Sequence, residues 1–595
     1  MRLLLALLAL LLATAAQAQQ RQPANVSTLP QSSPQEFDLL DNQGRWMPFG
    51  TASGGVFTGF GGAGIDVRAF GCVADGVTDQ TACINNALAN APDCVLIPAT
   101  QNGFYAAGTI TVSGCLRGTL WAPNNNALGF SGSSLIKCNN QAAQNCIAVR
   151  NSDKYATQIE NLTITGSGAT PVAGSTGLQW AGGFNLIMTN VMIDNFDTCS
   201  KFGPSTALGP LALRSINTVL SRCQKHYVVN DGVPELYFLG GRWGGGGGTD
   251  YNSADDFYYA TQTTGGGAGG GPNTLVIDSV QINPGNKTVG CAFRWGNFQA
   301  SPTGVWGGNR IVNSHVEVLA GSNYTGSATR GFFCIDNTVP VFPEIKLIGD
   351  NFLEDGSKSM PFFNVDPAVT WGNGAGLTIV GNQVQTAPFT LNISNNAFFF
   401  GPFIADNWFY NPLTMTAGST NANAHLTNNT FFQGWSITGQ WTNLNLTGNF
   451  GTLTDTATGN VYMSSDPGRA WTPTISFGNA SVGVTYSQQN GTIQRTPNGG
   501  FTAQASIVLT AKGTSTGLAR IAGLPYTCAS LASGSVPVTL ANMTGLTGAV
   551  QVTAAAGANN VFVSQSTATG QSTLTDTSFT NTTQLGVTIN CGKAS

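Results

Sequence analysis

The sequence predicts an all-β chain in two parts, a parallel β-helix built coil upon coil and an antiparallel β-sandwich at its C-terminal end. Three observations lead there. Apolar strand segments recur through the middle of the chain at steps of 20 to 39 residues, the mark of a repeat architecture that grows along one axis. Only 9% of residues are charged while 42% are hydrophobic, which is enough to fill a core and argues against disorder. Beyond Asp466 the character changes to Thr/Ser/Val-rich alternation with turns every 8 to 12 residues, the pattern of antiparallel strands in a sandwich.

At the start of the chain Arg2 supplies a positive charge, Leu3 to Leu12 an apolar core and Ala16-Gln17-Ala18 a small-x-small cleavage site. Residues 1–18 are therefore expected to be a signal peptide, removed after Ala18. The apolar run is too short to span a ~30 Å hydrocarbon core, and no later window holds about 18 uninterrupted apolar residues. The mature protein is expected to be secreted, periplasmic or on the cell surface, with no membrane contact after cleavage. All twelve cysteines lie beyond this segment, and an even count in an exported chain indicates disulfides. Local pairs suggest themselves, Cys138 with Cys146, Cys199 with Cys223, Cys291 with Cys334 and Cys528 with Cys591, although spacing alone fixes no connectivity. No CxxC pair exists and the three histidines, His226, His315 and His425, are far apart, so no metal site is expected.

A net charge of -4, with 76 Gly against 24 Lys and Arg, offers no field for a phosphate backbone and excludes nucleic acid as a partner. The Gly-rich runs 244–248 and 265–271 lack the helix and the lysine of a phosphate-cradling loop. They are expected to project from the coil as flexible loops.

Residues 19–62 are polar and Gly-rich, an extended lead-in rather than a packed unit. Organisation begins at Asp66, where DVRAFGCVADGVTDQTACI is followed by a helical period through Ala82, Ile84, Leu88 and Ala91. Thr78 or Asp79 is placed to cap that helix. Asp66, Phe70, Gly71, Asp75, Gly76, Thr78, Asp79, Thr81 and Ile84, with Pro98 and Tyr105 on the strand that follows, resemble the N-terminal cap of the pectate-lyase superfamily, the pectate-lyase and rhamnogalacturonase type of β-helix. Cys83 inside the helix and Ala99 in place of a common glycine depart from that pattern. The resemblance covers about 40 residues and implies a single-stranded right-handed parallel β-helix with a short N-terminal helix cap, over residues 63–465. It also implies a polysaccharide as partner. It carries no catalytic residues, because the Asn-x-Asp, Asp-Asp, Gly-His-Gly and Arg-x-Lys set of polygalacturonases is not reproduced, and neither is the R-x-P-x-x-R pattern of pectate lyases.

The coils are anchored at Leu162, Ile187, Leu213, Tyr237, Val276, Ile311, Ile348, Ile379, Ile404, Leu426 and Leu446. Next to them Asn190, Ser279, Ser314, Asn351, Asn382, Asn407 and Asn429 form a turn column. Stacked Asn side chains can hydrogen-bond along a ladder while tolerating left-handed backbone.

Cleavage of a polysaccharide on such a surface normally needs carboxylates, either as acid and base or as ligands of a calcium ion in a lyase. Calcium is thus implied only for a lyase, and no other cofactor is expected. Aligning coils by the turn column places Glu317, Glu354, Gln385 and Tyr410 in one column, with Asp194, Asn283, Asp355 and Asn411 in the next. Coils ~4.8 Å apart would bring Glu317 and Glu354 to about the carboxyl separation of a retaining glycosidase. Glu317, Glu354 and Asp355 are the candidate catalytic residues. Asp194 with Asp197, and Asp255 with Asp256, are candidates for holding sugar hydroxyls, with Tyr258 and Tyr410 as stacking platforms. A slip of one residue would carry any of them to the opposite face, and solvated turn carboxylates are the competing reading.

Residues 470–595 resemble the C-terminal sandwich domains of phage tail fibres and tailspikes, through WTPTISFG, SVGVTYS and LTAKGTSTGLARIAGLP. That likeness implies binding or trimerisation. The sequence thus predicts an exported polysaccharide-acting β-helix protein, a glycan lyase or glycoside hydrolase. The alternatives are a tailspike-like homotrimeric receptor-binding protein and a non-catalytic glycan-binding adhesin.

Overall fold

Alternation of apolar and polar residues at period two turns one side of every short strand inward, and stacking such strands in parallel closes a tube. The computed structural model describes residues 35–40, 46–53, 56–59 and most of 64–594. Residues 1–34, with the expected signal peptide, lie outside the described residues, as do internal segments of which 121–132, 263–273 and 321–330 are the longest. The glycine runs 245–248 and 265–271 fall among these.

From Ile65–Asp66 to Leu453–Met463 the strands join in a 34-stranded assembly of parallel pairings, a right-handed parallel β-helix. Each coil crosses three faces. One complete coil runs through Ile345–Ile348 on the first face, Asn351–Gly356 on the second and Phe363–Val365 on the third. Inward positions of the first face stack as Phe238, Ile277, Ile311, Leu347, Ile379, Ile404, Leu426 and Leu446, all buried. Burial of each such side chain is worth about 1.5–3 kcal/mol. The predicted period is present, but four anchors are displaced by one residue. Ile187, Tyr237 and Val276 occupy the outward column one residue before Met188, Phe238 and Ile277, and Ile348 the outward column one residue after Leu347, where it is exposed.

At the N-terminal end the cap motif serves turns. Asp66 accepts the amide of Arg68 and pairs with its guanidinium. Asp75 accepts the amides of Val77 and Thr78. The N-cap of the helix Thr81–Asn90 is Gln80, whose side chain makes no capping bond, rather than Thr78 or Asp79; Asp79, just before it, accepts the amide of Thr81. Ahead of it, where an extended lead-in was expected, Gln35–Leu40, Trp46–Ser53 and Val56–Gly59 pair as a three-stranded antiparallel sheet. The Gly54-Gly55 pair between the last two strands is a sequence suited to a tight hairpin.

From the strand Thr157–Gly166 onward, the coils turn a sharp corner between the first and second faces on a residue of positive φ: Asn161, Asn190, Asn217, Gly240, Ser279, Asn313, Gly349, Gly381, Asp406, Asn428 and Gly448. Asn, Asp and Gly dominate because other side chains are strained there. In the early coils these side chains link directly, Asn190 donating to Asn161 at 2.9 Å and Asn217 to Asn190 at 2.8 Å. In the later coils the ladder moves to the next residue and goes inside. Asp350 accepts the amide of Ser314, Asn382 that of Asp350, Asn407 that of Asn382, Asn429 that of Asn407 and Asn449 that of Asn429. The predicted turn column therefore merges three neighbouring columns, the corner (Asn190, Ser279), the ladder (Ser314, Asn382, Asn407, Asn429) and the position after it (Asn351), so that in the Gly349-Asp350-Asn351 corner the ladder residue is Asp350, not Asn351.

Six disulfides reinforce the chain, the four predicted pairs together with Cys72–Cys83 and Cys94–Cys115. C-terminal to the coil, antiparallel strands enclose a second core that includes Trp471, Ile475, Phe477, Ile507, Ile521, Val563 and Ile589. The two parts are joined by a buried clasp. Asp455, on the last strand of the coil, accepts from Arg495 Nε at 2.9 Å and from the Tyr526 hydroxyl at 2.6 Å. Arg495 also donates to the Ala457 carbonyl and lies over the Tyr526 ring.

Two predictions follow from these contacts. Burial pushes the Asp350 carboxyl up to about 7, with the Asp278 charge adding to the effect and the amides of Ser314 and Ile348 opposing it. A carboxyl raised above its unfolded value of roughly 3.9 favours folding in acid and loses that contribution as pH rises to about 7. Asp350→Asn should abolish this loss, so thermal unfolding of the variant should match the parent at pH 4 and exceed it at pH 7.5 by roughly 2–4 kcal/mol. A variant less stable than the parent at pH 7.5 would contradict the assignment. At the clasp, Asp455→Asn leaves a buried guanidinium without its counter-charge and should cost about 3–5 kcal/mol. Limited proteolysis should then cut the chain near the boundary of coil and sandwich, which the parent resists.

Candidate functional site

Outward positions of the second face stack as cleanly as the core. One column runs Arg242, Gln281, His315, Asn351, Gln383, Trp408, Thr430 and Phe450. Beside it, two residues further along each strand, Glu317, Leu353 and Gln385 follow one another. Tyr410 and Phe432 continue this second column, their rings stacked at 4.8 Å and 21°. Gln383 Nε2 donates to the Tyr410 hydroxyl at 3.2 Å, tying the columns together. Trp408, Phe432 and Phe450 are 55%, 56% and 73% exposed, so large rings face water on consecutive coils. Three coils toward the N-terminal end, roughly 14 Å at the parallel-strand spacing, His315 Nε2 lies 3.5 Å from Glu317 Oε2, both side chains about one-third exposed. One coil beyond Gln281, the Nε of Arg242 has no hydrogen-bond partner among the described residues.

The predicted pairing of Glu317 with Glu354 does not form. Glu317 stands beside Leu353 and Val318 beside Glu354, because the ladder residue of that corner is Asp350 and the coil is shifted by one. Glu354 consequently turns inward, is 2% exposed and accepts the amide of Met360 at 2.9 Å. The backbone of Asp355 pairs with Leu319, and its side chain lies outside the described residues.

Asp194 is a structural acid, 1% exposed, held by both the Nε and the terminal nitrogen of Arg222 and by the Thr165 hydroxyl. Asp197 accepts the amide of Gly174 at 3.0 Å and so secures a turn of the preceding coil. Asp255 and Asp256 sit on the strand Ser253–Gln262, Asp256 beside Lys225 and Cys291, with side chains outside the described residues. Tyr258 belongs to the core. It is fully buried against Phe293 and Trp295, which drives its hydroxyl pKa strongly upward, and it presents no ring to a ligand. Tyr410 lies half-buried on the second column of the strip, its ring against Phe432.

One carboxylate stack escaped the sequence reading. The amide of Asp336 donates to the Trp295 carbonyl and that of Asp366 to the Ile335 carbonyl, so the two acids follow the third face on adjacent coils. Burial raises the Asp336 pKa, Arg294 opposes this and the Asp366 charge adds to it. Among the described residues no three His, Cys, Asp or Glu side chains gather closely enough to hold a metal ion. The exposed rings also went unnoticed, although a signal existed: Asn407-Trp408-Phe409-Tyr410, Asn429-Thr430-Phe431-Phe432 and Asn449-Phe450 repeat an aromatic just after the ladder Asn.

No protein-family model and no curated protein matches the chain. Among solved structures it is similar to the Dettilon tailspike protein, with a TM-score of 0.48 and 12% identity over 89% of this chain and 94% of that one. It is also similar to the tailspike protein of Escherichia coli bacteriophage HK620 solved in complex with a pentasaccharide, with a TM-score of 0.34 and 11% identity over 88% and 92%. A third similar structure is the A-module of the Azotobacter vinelandii mannuronan C-5 epimerase AlgE6, with a TM-score of 0.28 and 15% identity over 67% and 97%.

Proposed function

We propose that the protein is an exported β-helix, of pectate-lyase-superfamily type in its coil, that engages a polysaccharide along the outward strip of its second face. The observation that carries this reading is the set of rings at Trp408, Tyr410, Phe432 and Phe450 on three consecutive coils, with Tyr410 stacked on Phe432 and with Trp408, Phe432 and Phe450 largely open to solvent. Large exposed aromatics are costly in a soluble protein and mark an interaction surface. A ring offers an apolar face to a pyranose, while Gln281, Asn351, Gln383 and Gln385 offer amides that both donate and accept to sugar hydroxyls. Export is supported by the signal-peptide pattern of residues 1–18 and by the six disulfides. The Asp66, Asp75 and Asp79 turns support the superfamily affiliation, since the matched motif serves structure.

Cleavage on this strip falls to Glu317, with His315 as its proton partner, because they are the acid and imidazole that share the face with the rings. Assembly as a homotrimer is part of the reading. On the first face, exposed Ile216 and Leu239 on adjacent coils, and Ile348 farther along the same outward column beyond Asp278 and Val312, offer contact points for it.

Trp408→Ala and Phe432→Ala should each weaken retention on the cognate polysaccharide by about tenfold, a loss of about 1.4 kcal/mol, with unchanged circular dichroism. Retention equal to that of the parent would remove the strip from the function. Glu317→Gln should stop product release while leaving retention intact; unchanged release from a glycan panel would assign the strip to binding alone. Light scattering that returns the mass of one chain would remove the trimer.

A further inference from the structure

The outer surface of the C-terminal sandwich carries a cleft that the coil's strip does not explain. Four strands, Val484–Arg495, Phe501–Lys512, Phe579–Ala594 and Val536–Met543, lie side by side there. Register aligns Asn490 with Ser506, Gly586 and Thr539 in one row, and Thr492 with Gln504 and Thr588 in the next. Together they line a depression of about 460 Å³ whose lining holds no charged residue. Gly586 gives it depth, since a Cβ there would meet Thr539 Oγ1 at 2.8 Å.

Elsewhere on this surface neighbouring polar side chains satisfy one another, Thr485 with Thr510 at 2.7 Å and Thr502 with Asn590 at 3.0 Å. Inside the cleft Asn490, Thr492, Gln504, Ser506 and Thr588 have no side-chain partner among the described residues. Amides and hydroxyls with free donors and acceptors, on rows ~4.8 Å apart, match a ligand dense in hydroxyl groups. With no charged residue in its lining, the cleft offers a carboxylate or phosphate no counter-charge.

We propose that this cleft is a second glycan subsite, distinct from the strip, that takes an uncharged oligosaccharide segment. The test uses the full-length chain carrying Trp408→Ala and Phe432→Ala, so that the strip is disabled. It is titrated calorimetrically with xylohexaose, mannohexaose, maltohexaose and, as the charged comparison, hexagalacturonate. At least one neutral hexasaccharide should bind while hexagalacturonate does not. Adding Gln504→Ala, an exposed side chain whose loss leaves the fold intact, should weaken that binding tenfold or more, and Gly586→Val, which fills the cleft, should remove it. Absence of binding by all three neutral sugars, binding unaltered by Gln504→Ala, or preference for hexagalacturonate would overturn the proposal. So would loss of self-association in these variants with the titration unchanged, which would make the surface a contact between copies of the chain. Because the strip is already disabled, failure here leaves the strip's own role untouched.

Discussion

The vertical register held at the corner between the first and second faces is the constraint on which everything else in the coil depends. A parallel coil has no antiparallel hairpin to fix its register, and alternation alone would tolerate a slip that inverts every side chain. Here each coil from Asn161 onward turns on one residue of positive φ, and the residue after it, in the later coils, presents an amide or carboxyl that takes the backbone N–H of the coil before. That bond can be made at one register only, since a displaced coil would leave a buried amide unsatisfied at a cost of about 1–3 kcal/mol. Once the corner is set, the inward columns stack as a continuous core and the outward columns stack as continuous strips. The strip of Trp408, Tyr410, Phe432 and Phe450 is thus a by-product of the same register that aligns Ile379, Ile404 and Leu426 inside.

Much of the fold was legible because it rests on patterns that survive a one-residue error: coil period, strand alternation, the cap motif, and cysteine pairs close in sequence. The site was not, because columns do not survive that error. Corners such as Asn313-Ser314, Gly349-Asp350-Asn351, Asp406-Asn407 and Asn428-Asn429 offer neighbouring residues of similar chemistry, one for the positive-φ position and one for the buried ladder. Sequence cannot tell which of two adjacent Asn residues goes inside. Choosing Asn351 over Asp350 turned Glu354 outward on paper, whereas the structure buries it on the Met360 amide. Tyr258 failed for another reason: in Phe257-Tyr258-Tyr259 aromatic residues occupy both parities, and Phe257 and Tyr258 are both fully buried while only Tyr259 is partly open.

A chain with so few charges places several of them where they do structural work. Asp194 braces Arg222, Asp350 continues the ladder, Glu354 secures a loop and Asp455 joins coil to sandwich. Each accepts hydrogen bonds from backbone amides or from a guanidinium, which is what makes burial of a carboxylate tolerable. Acid pairs noticed in sequence were therefore poor guides to chemistry, and an outward residue on a known column is a better one. By that criterion Glu317 keeps its candidacy and Glu354 loses it.

On the proposed reading, the distribution of residues along the strip sets how a glycan would be held. Rings occur only on the coils at the C-terminal end, where stacking is indifferent to the pattern of hydroxyls. Toward the N-terminal end the same column passes through Gln383 and Asn351 to His315, Gln281 and Arg242, groups that demand particular partners. Grip and selection are then separated along one rigid axis, with Glu317 on the selective half. A chain end or branch that satisfies the polar groups would be registered against Glu317 by them, and the rings would supply residence time. The neutral cleft of the sandwich adds a second attachment on the same polymer, and linking two weak sites in one body raises avidity without new contacts at either. Such an arrangement favours a long ligand over any short fragment of it, so affinity for isolated oligosaccharides would understate the protein's hold on the intact polymer.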